Sequence, residues 1–310
     1  MDETARLLER LERTLDGRSI EEFLPASRAL VGFEAAIASS LDGVLARRAV
    51  EKLRAGGRLL PAEWEALEVG IRMARPALRI ENGRLPFVPA LKMDDATRSV
   101  LEAQLAGIAS VGWRWGIPLA TAFQVAPRVL VTSAHVAEKL LHDSADLARG
   151  HFVACFDADD SQQESSIPIT GVLARHPLED VAFLSLASDG PLEQGLQLAA
   201  DPWSTRSERV LGVGYPIYSD GNPPWVDVLF ENLYGVKRAS PGELLGMEGE
   251  RLYHDCTTLS GNSGSPLFDT RTGLVIGIHA SGQFALRNTA VSTRAICALE
   301  QLRSLVATWG

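Results

Sequence analysis

Eight residues, Leu259-Ser260-Gly261-Asn262-Ser263-Gly264-Ser265-Pro266, constrain this chain more than any others, because they exclude a helix and set a serine between two glycines. Proline lacks the N–H that a helix needs, so the segment reads as a tight turn. Glycine at 261 permits dihedrals and a close backbone approach that other residues resist. A turn of this kind exposes a serine Oγ and lets neighbouring N–H groups converge on a developing oxyanion, as acyl transfer requires. Glycine-serine runs also make plain turns, so a catalytic reading needs a base and a third group that fixes its tautomer.

Both partners can be named. Ala120 to Val125 and Arg128 to Thr132 are β-branched, strand-like runs around an Ala126-Pro127 turn, and they lead straight into Ser133-Ala134-His135-Val136. His135 therefore stands where a strand ends. Between it and Ser263 lies His176-Pro177-Leu178-Glu179-Asp180-Val181-Ala182-Phe183-Leu184, in which a carboxylate precedes an apolar strand-like run. Asp180 can sit half buried at the mouth of that strand, with Glu179 as a rival carboxylate that only geometry separates from it. Taken singly, His135 reads as a structural histidine and Asp180 as a turn cap; it is their order with Ser263 that makes a catalytic set.

Read together, Thr132-Ser133-Ala134-His135, Asp180-Val181-Ala182-Phe183-Leu184 and Gly261-Asn262-Ser263-Gly264-Ser265-Pro266 make the chain resemble the trypsin-like (chymotrypsin-fold) serine peptidases from about residue 105 to the C-terminus. Val275-Ile276-Gly277-Ile278-His279, with Gly214-Tyr215-Pro216 and Gly273-Leu274, brings it nearest to the bacterial glutamyl endopeptidase-like members. The resemblance implies a double β-barrel with a C-terminal helix, in which Ser263 attacks the scissile carbonyl, His135 accepts its proton, Asp180 orients the imidazole, and the N–H groups of Gly261 and Ser263 form the oxyanion hole. It also implies that Thr258 and His279 line the S1 pocket and receive an acidic P1 side chain. The alternative for His279 is a core histidine on a strand. Position 257 is threonine, not the aspartate of a pocket for Lys or Arg. Asn262 precedes the nucleophile where zymogen-activated members carry aspartate, so their ammonium-carboxylate switch has no counterpart here.

The first 75 residues follow a helical pattern instead. Leu8, Leu11 and Leu15 make an apolar stripe within 1–17, and further helices are expected over 20–40, 44–55 and 61–74, the last with Pro61 in its first turn and Trp64, Leu67 and Ile71 on one face. A bundle of about four helices results, either a stabilising extension or an adaptor of death-domain-like or effector-associated type that recruits or restrains the peptidase. Residues 76–104 form a connector, with Pro76 to Pro89 breaking the helical pattern and Asp94-Asp95 capping a helix that packs Val100, Leu101 and Leu105. The peptidase domain is expected over 105–310, closing with a helix over 292–309 that presents Ile296, Leu299, Leu302, Leu305 and Val306.

At 310 residues, 46% hydrophobic and 22% charged, the chain is long enough for two cores. A net charge of −9 argues against nucleic acid as a ligand. The acidic start Met1-Asp2-Glu3 lacks the apolar core of a secretory signal, no run of eighteen apolar residues occurs, and Cys155, Cys256 and Cys297 suit reduced thiols better than disulfides; a cytoplasmic protein away from membranes is expected. No cofactor or metal is expected: Asp157-Ala158-Asp159-Asp160 lacks the glycine and distal glutamate of a calcium loop. His142, His151, His176 and His254 read as surface or structural. Two further function classes compete with this reading. One is a noncatalytic peptide-binding module of protease fold. The other is an α/β-hydrolase using Ser263, Asp269 and His279, whose nucleophile elbow would need a helix that Pro266 forbids. By analogy with architectures of this kind, a helical domain joined to such a peptidase suggests a bacterial stress or anti-phage defence role.

Overall fold

A computed structural model describes residues 3–24, 42–86, 93–116, 118–156, 166–201, 209–222, 225–283 and 287–298. By contacts the chain divides into two compact units, Met1–Pro76 with Asp220–Leu233, and Ala77–Ser219 with Tyr234–Gly310. The expected helix over 20–40 lies largely outside the described residues, as do Asp157 to Asp160 and the end of the C-terminal helix, which is seen over Thr293–Ala298.

The first unit is built from helices over Glu3–Leu15, Gly43–Arg54 and Pro61–Ala74. On the first of these, Leu7, Leu11 and Leu15 are buried, whereas the expected Leu8 is only partly so. Steps of four residues keep Leu7, Leu11 and Leu15 on one stripe, while Leu8 is turned about 100° away from Leu7. Each later helix has its own start signal. The Asp42 carboxylate accepts the N–H groups of Val44 and Leu45, and the Glu63 carboxylate turns back to the Leu60 N–H at 2.6 Å while also binding Lys52. Glu68, only 1% exposed, is clamped between Arg10 and Arg72. A buried carboxylate is tolerable when such cations neutralise it.

The described residues of the second unit hold thirteen strands. The short β1 (Leu78–Arg79) precedes a helix over Asp95–Gln104 capped by Asp94, on which Leu101 is buried and Val100 stays largely exposed. Next come β2 (Ile108–Trp113), β3 (Pro118–Ala126), β4 (Val129–Thr132), β5 (Phe152–Cys155), β6 (Ser166–Arg175) and β7 (Ala182–Leu186), which close a barrel in the order β2-β3-β4-β7-β6-β5. The remaining strands are β8 (Arg209–Gly214), β9 (Arg238–Glu248), β10 (Arg251–His254), β11 (Pro266–Asp269), β12 (Val275–Gln283) and β13 (Arg287–Ser292). They run β9-β10-β13-β12-β11-β8, and the pairing of β8 with β9 closes a second barrel. Closure removes the open strand edges that would invite intermolecular pairing. The double barrel expected from the sequence is therefore present.

The near-continuous apolar runs of these strands follow from burial on both faces. Along β3 and β4, Phe123, Val125, Val129 and Val131 point into a core shared by the two barrels, while Ala120, Ala122 and Leu130 point into a core of the first barrel alone. In the second barrel Leu211, Val213, Phe268 and Ile278 face the shared core, and Val210, Leu267 and Ile276 face a third. Each fully buried phenylalanine or leucine contributes about 1.5–3 kcal/mol. Polar groups cross the shared core as well. The Tyr215 hydroxyl bonds the carbonyls of Ile108 and Phe156, and the Lys237 ammonium donates to those of Leu105 and Phe156 at 2.9 and 2.8 Å. Cys155 and Cys256 are buried thiols with no disulfide between them.

Because Lys237 is only 4% exposed, Lys237→Met should lower unfolding free energy by about 1–3 kcal/mol by removing the charge-assisted hydrogen bonds to the Leu105 and Phe156 carbonyls. A urea melt of the variant that matches wild type would contradict this role.

Candidate functional site

Strand register brings the first two site residues together. β4 pairs antiparallel with β7 so that Thr132 lies opposite Ala182, and therefore the chain leaving β4 and the chain entering β7 share one end of the barrel. His135 lies in the first turn of a helix over Ala134–His142, and Asp180 lies two residues before β7. The Asp180 carboxylate accepts the His135 backbone N–H at 2.9 Å with one oxygen and meets the ring Nδ1 at 2.8 Å with the other. That clamp leaves Nδ1 protonated and Nε2 as the basic face of the ring. Burial pushes the Asp180 carboxyl upward, but the hydrogen bonds from the His135 ring and N–H outweigh it and hold the group below its ordinary range. The Glu179 backbone is engaged in the preceding loop: its N–H bonds His176 Nδ1 and its carbonyl accepts from Val181. The carboxylate partner of His135 is thus Asp180, and His176 organises the turn before it.

The nucleophile turn is sewn to both barrels. Gly261 and Gly264 each have φ +88°, the left-handed region that favours glycine, and a Cβ on Gly264 would collide with the Thr121 carbonyl and the Thr132 hydroxyl. From the first barrel, Thr121 N–H donates to the Ser263 carbonyl at 2.9 Å and Thr121 Oγ1 to the Gly261 carbonyl at 2.8 Å. From the second, the His279 carbonyl accepts the Gly264 N–H at 2.8 Å, and it also accepts the Ser133 hydroxyl two residues before His135. Ser263 is half buried. Among the described residues no acceptor is paired with the N–H of Gly261 or of Ser263, and no hydrogen bond joins the Ser263 hydroxyl to the His135 ring. Pro266 opens β11 rather than a helix, as the turn chemistry requires.

A pair of buried histidines lies beside this turn. His254 ends β10 and is fully buried, and its Nε2 lies 3.1 Å from Nδ1 of His279 on β12. Since His254 Nδ1 accepts the Cys256 N–H, its proton sits on Nε2 and is donated to His279 Nδ1. His279, 5% exposed, is thereby left with its own proton on Nε2, for which the described residues provide no acceptor. Burial drives the His254 pKa down to about 4, and burial, with His254 and His135 nearby, drives His279 well below the ordinary imidazole range. Both rings are neutral at pH 7. Thr258 belongs to the segment facing β12, where a Cβ on Gly282 would stand 3.8 Å from its hydroxyl. The sequence reading left His254 without a role. Its partner is 25 residues away and reaches it only through the register of β10, β13 and β12, so no local spacing could announce it. Asp269, the third member of the hydrolase alternative, accepts the Arg271 N–H within its own turn. Among the described residues no cluster of three or more potential metal ligands occurs, and no helix is long and apolar enough to cross a membrane.

Residues 120–278, just over half of the chain, match the sequence model of the family described as "Trypsin-like peptidase domain". Among solved structures, a Glu endopeptidase in complex with MPD is similar at 17% identity and a TM-score of 0.54, covering 75% of this chain and 97% of its own. An inactive form of Rv3671c from M. tuberculosis H37Rv is similar at 20% identity and a TM-score of 0.45, covering 70% of this chain and 96% of its own. The Glu endopeptidase likeness bears on the fold alone. No curated protein sequence matches the chain.

The buried histidines should give folding a pH signature. An unfolded histidine takes up a proton near pH 6.5 whereas His254 resists until about 4, so stability present above pH 6.5 is lost as pH falls from 6.5 toward 4. The loss from this residue should reach about 3 kcal/mol. His254→Gln should flatten the unfolding free energy measured across that window, and an unchanged slope would contradict a neutral buried ring.

Proposed function

Because the chain belongs to the family of trypsin-like peptidase domains, we propose that it is a serine endopeptidase working through His135, Asp180 and Ser263. What carries the reading is the Asp180 clamp on His135, which presents Nε2 as a base at the end of the barrel where the nucleophile turn is docked. His135 takes the Ser263 proton as Oγ attacks the scissile carbonyl, and returns it to the leaving amine as the acyl-enzyme forms. Water then enters by the same route and releases the acid. Catalytic hydrogen bonds of this kind shorten when substrate is seated, so a longer serine-histidine approach is compatible with the role. The N–H groups of Gly261 and Ser263 are the oxyanion donors, each worth about 10²–10³ in rate.

The S1 reading is an acidic P1 residue. Supporting it is the relay from Cys256 N–H through His254 to His279, which leaves a buried Nε2–H with a donor to offer, with the Thr258 hydroxyl on the facing segment. A glutamate or aspartate side chain is the acceptor that such a donor pair would prefer over an apolar one. Residues 1–76 and 220–233, which make up the helical unit, contain no histidine to act as a base beside a nucleophile. The role of that unit in this proposal is recruitment or regulation of the peptidase, in a setting of bacterial defence.

Ser263→Ala should lower kcat on a peptide substrate by about 10⁶. An active Ser263→Ala chain would end the assignment. His279→Ala should cut kcat/KM for a Glu-P1 peptide about 10- to 100-fold, the worth of one hydrogen bond to a charged group. Cleavage confined to apolar P1 residues in a peptide-library profile would refute the S1 reading.

A further inference from the structure

We propose that Tyr218, braced by Tyr234, is a specificity-determining residue that selects a large apolar or aromatic side chain in the leaving half of the substrate. The proposal rests on the reading of Ser263 as nucleophile and of Thr258 with His279 as the receptor of the P1 side chain.

A single peptide divides the site into two sides. The carbonyl and the N–H of a trans peptide point in opposite directions. In the peptide that joins Ser263 to Gly264, the N–H donates to the His279 carbonyl on β12 at 2.8 Å, and the carbonyl accepts from Thr121 on β3 at 2.9 Å. β12 and β3 therefore flank the nucleophile turn on opposite sides. A P1 side chain received by His279 and Thr258 keeps the acyl half of the substrate over β12. The chain that follows the scissile bond leaves toward β3.

Hydrogen bonds fix what stands on that side. Thr121 Oγ1 donates to the Gly261 carbonyl at 2.8 Å and accepts the Tyr215 N–H at 3.0 Å, which sets the segment after β8 beside the turn. Two residues on, the Ile217 N–H holds the Ser260 carbonyl at 2.7 Å, and a Cβ on Gly261 would stand 3.1 Å from Ile217 Cγ2. Gly235 N–H donates to the Pro216 carbonyl at 2.7 Å, and a Cβ on Gly235 would stand 3.7 Å from Pro118 Cδ at the start of β3. Residues 215–217 and Gly235 thus fill the corner between the turn and β3, all within one compact unit.

Tyr218 and Tyr234 are the next residues out from Ile217 and Gly235. Their rings meet edge to face, with centroids 5.5 Å apart and planes at 67°. Tyr218 is nevertheless 55% exposed, so the other side of its ring is left to water. A ring already held by its neighbour gives up little rotamer freedom on binding and gains by covering apolar surface. Tyrosine brings no charge to the contact, so the side chain it rewards is apolar or aromatic. Side chains alternate along an extended strand, and the preference therefore falls on one of the first two residues after the scissile bond, not on both.

The test compares, in the full chain, two kinds of substrate sharing one acyl half, whose P1 residue is the one that library profiling selects. One ends in a p-nitroanilide and has no residue after the scissile bond. The other is a peptide set varied at the first two positions beyond it. Wild type should favour phenylalanine or leucine over glycine about tenfold at one of those positions. Tyr218→Ala should erase that preference while kcat/KM for the anilide stays within about threefold, and Tyr218→Phe, which keeps the ring, should retain it. A second readout needs no variant. Dipeptide amides added to wild type capture the acyl-enzyme: the α-amine attacks the ester carbonyl, His135 takes the amine proton, and Ser263 Oγ departs and receives it. Phe-Gly or Gly-Phe amide should compete with water about tenfold better than Gly-Gly amide. A flat preference in wild type, a preference that survives Tyr218→Ala, or an anilide rate that falls as far as the peptide rate overturns the proposal and leaves the nucleophile assignment standing. A wild-type chain that cleaves neither substrate contradicts the peptidase reading, and the inference falls with it.

Discussion

Thr121, fully buried on β3, is the point on which the site depends. Its N–H holds the Ser263 carbonyl, its hydroxyl donates to the Gly261 carbonyl and accepts from Tyr215 N–H, and its carbonyl accepts the Thr132 hydroxyl at the end of β4. One residue thus ties the turn around Ser263 in the second barrel to the strand that leads into His135 in the first. A buried hydroxyl with both a donor and an acceptor satisfied is stabilising, and the same group left half satisfied would be costly.

Two histidine environments divide the electrostatic work. His135 is partly exposed and clamped by a carboxylate, so its ring is oriented. His279 is buried against another histidine and held neutral, so its ring is a fixed donor. The contrast follows from burial and from the sign of the neighbouring group, since a carboxylate favours the imidazolium while desolvation and a second imidazole oppose it.

Much of this was legible in the sequence where a local rule operates. The glycine-flanked serine, the proline that starts β11, the strand ending at Thr132, Pro61 in the first turn of its helix and the Asp94 cap all depend on nearest neighbours, and each is found as the pattern implies. What could not be read needed register or contact. The sequence pattern admits Leu8 to the stripe that Leu7 occupies, because Leu8 and Leu7 differ only in phase, which tertiary packing sets. The choice between Glu179 and Asp180 needs the contact of the Asp180 carboxylate with the His135 ring and N–H. His254 acquired its partner across three strands. The grouping of Asp220–Leu233 with the helices has no sequence pattern at all, because it is a property of long-range contacts in a segment that otherwise reads as part of the peptidase.

The account's central claim is that the Ser263 hydroxyl is activated by the His135 ring. Treating the chain with a fluorophosphonate probe and mapping the adduct by mass spectrometry tests it most directly. The account predicts a single modified serine, Ser263, with labelling abolished in His135→Ala although that variant keeps its fold. Label on another residue, or equal labelling without the imidazole, would contradict it.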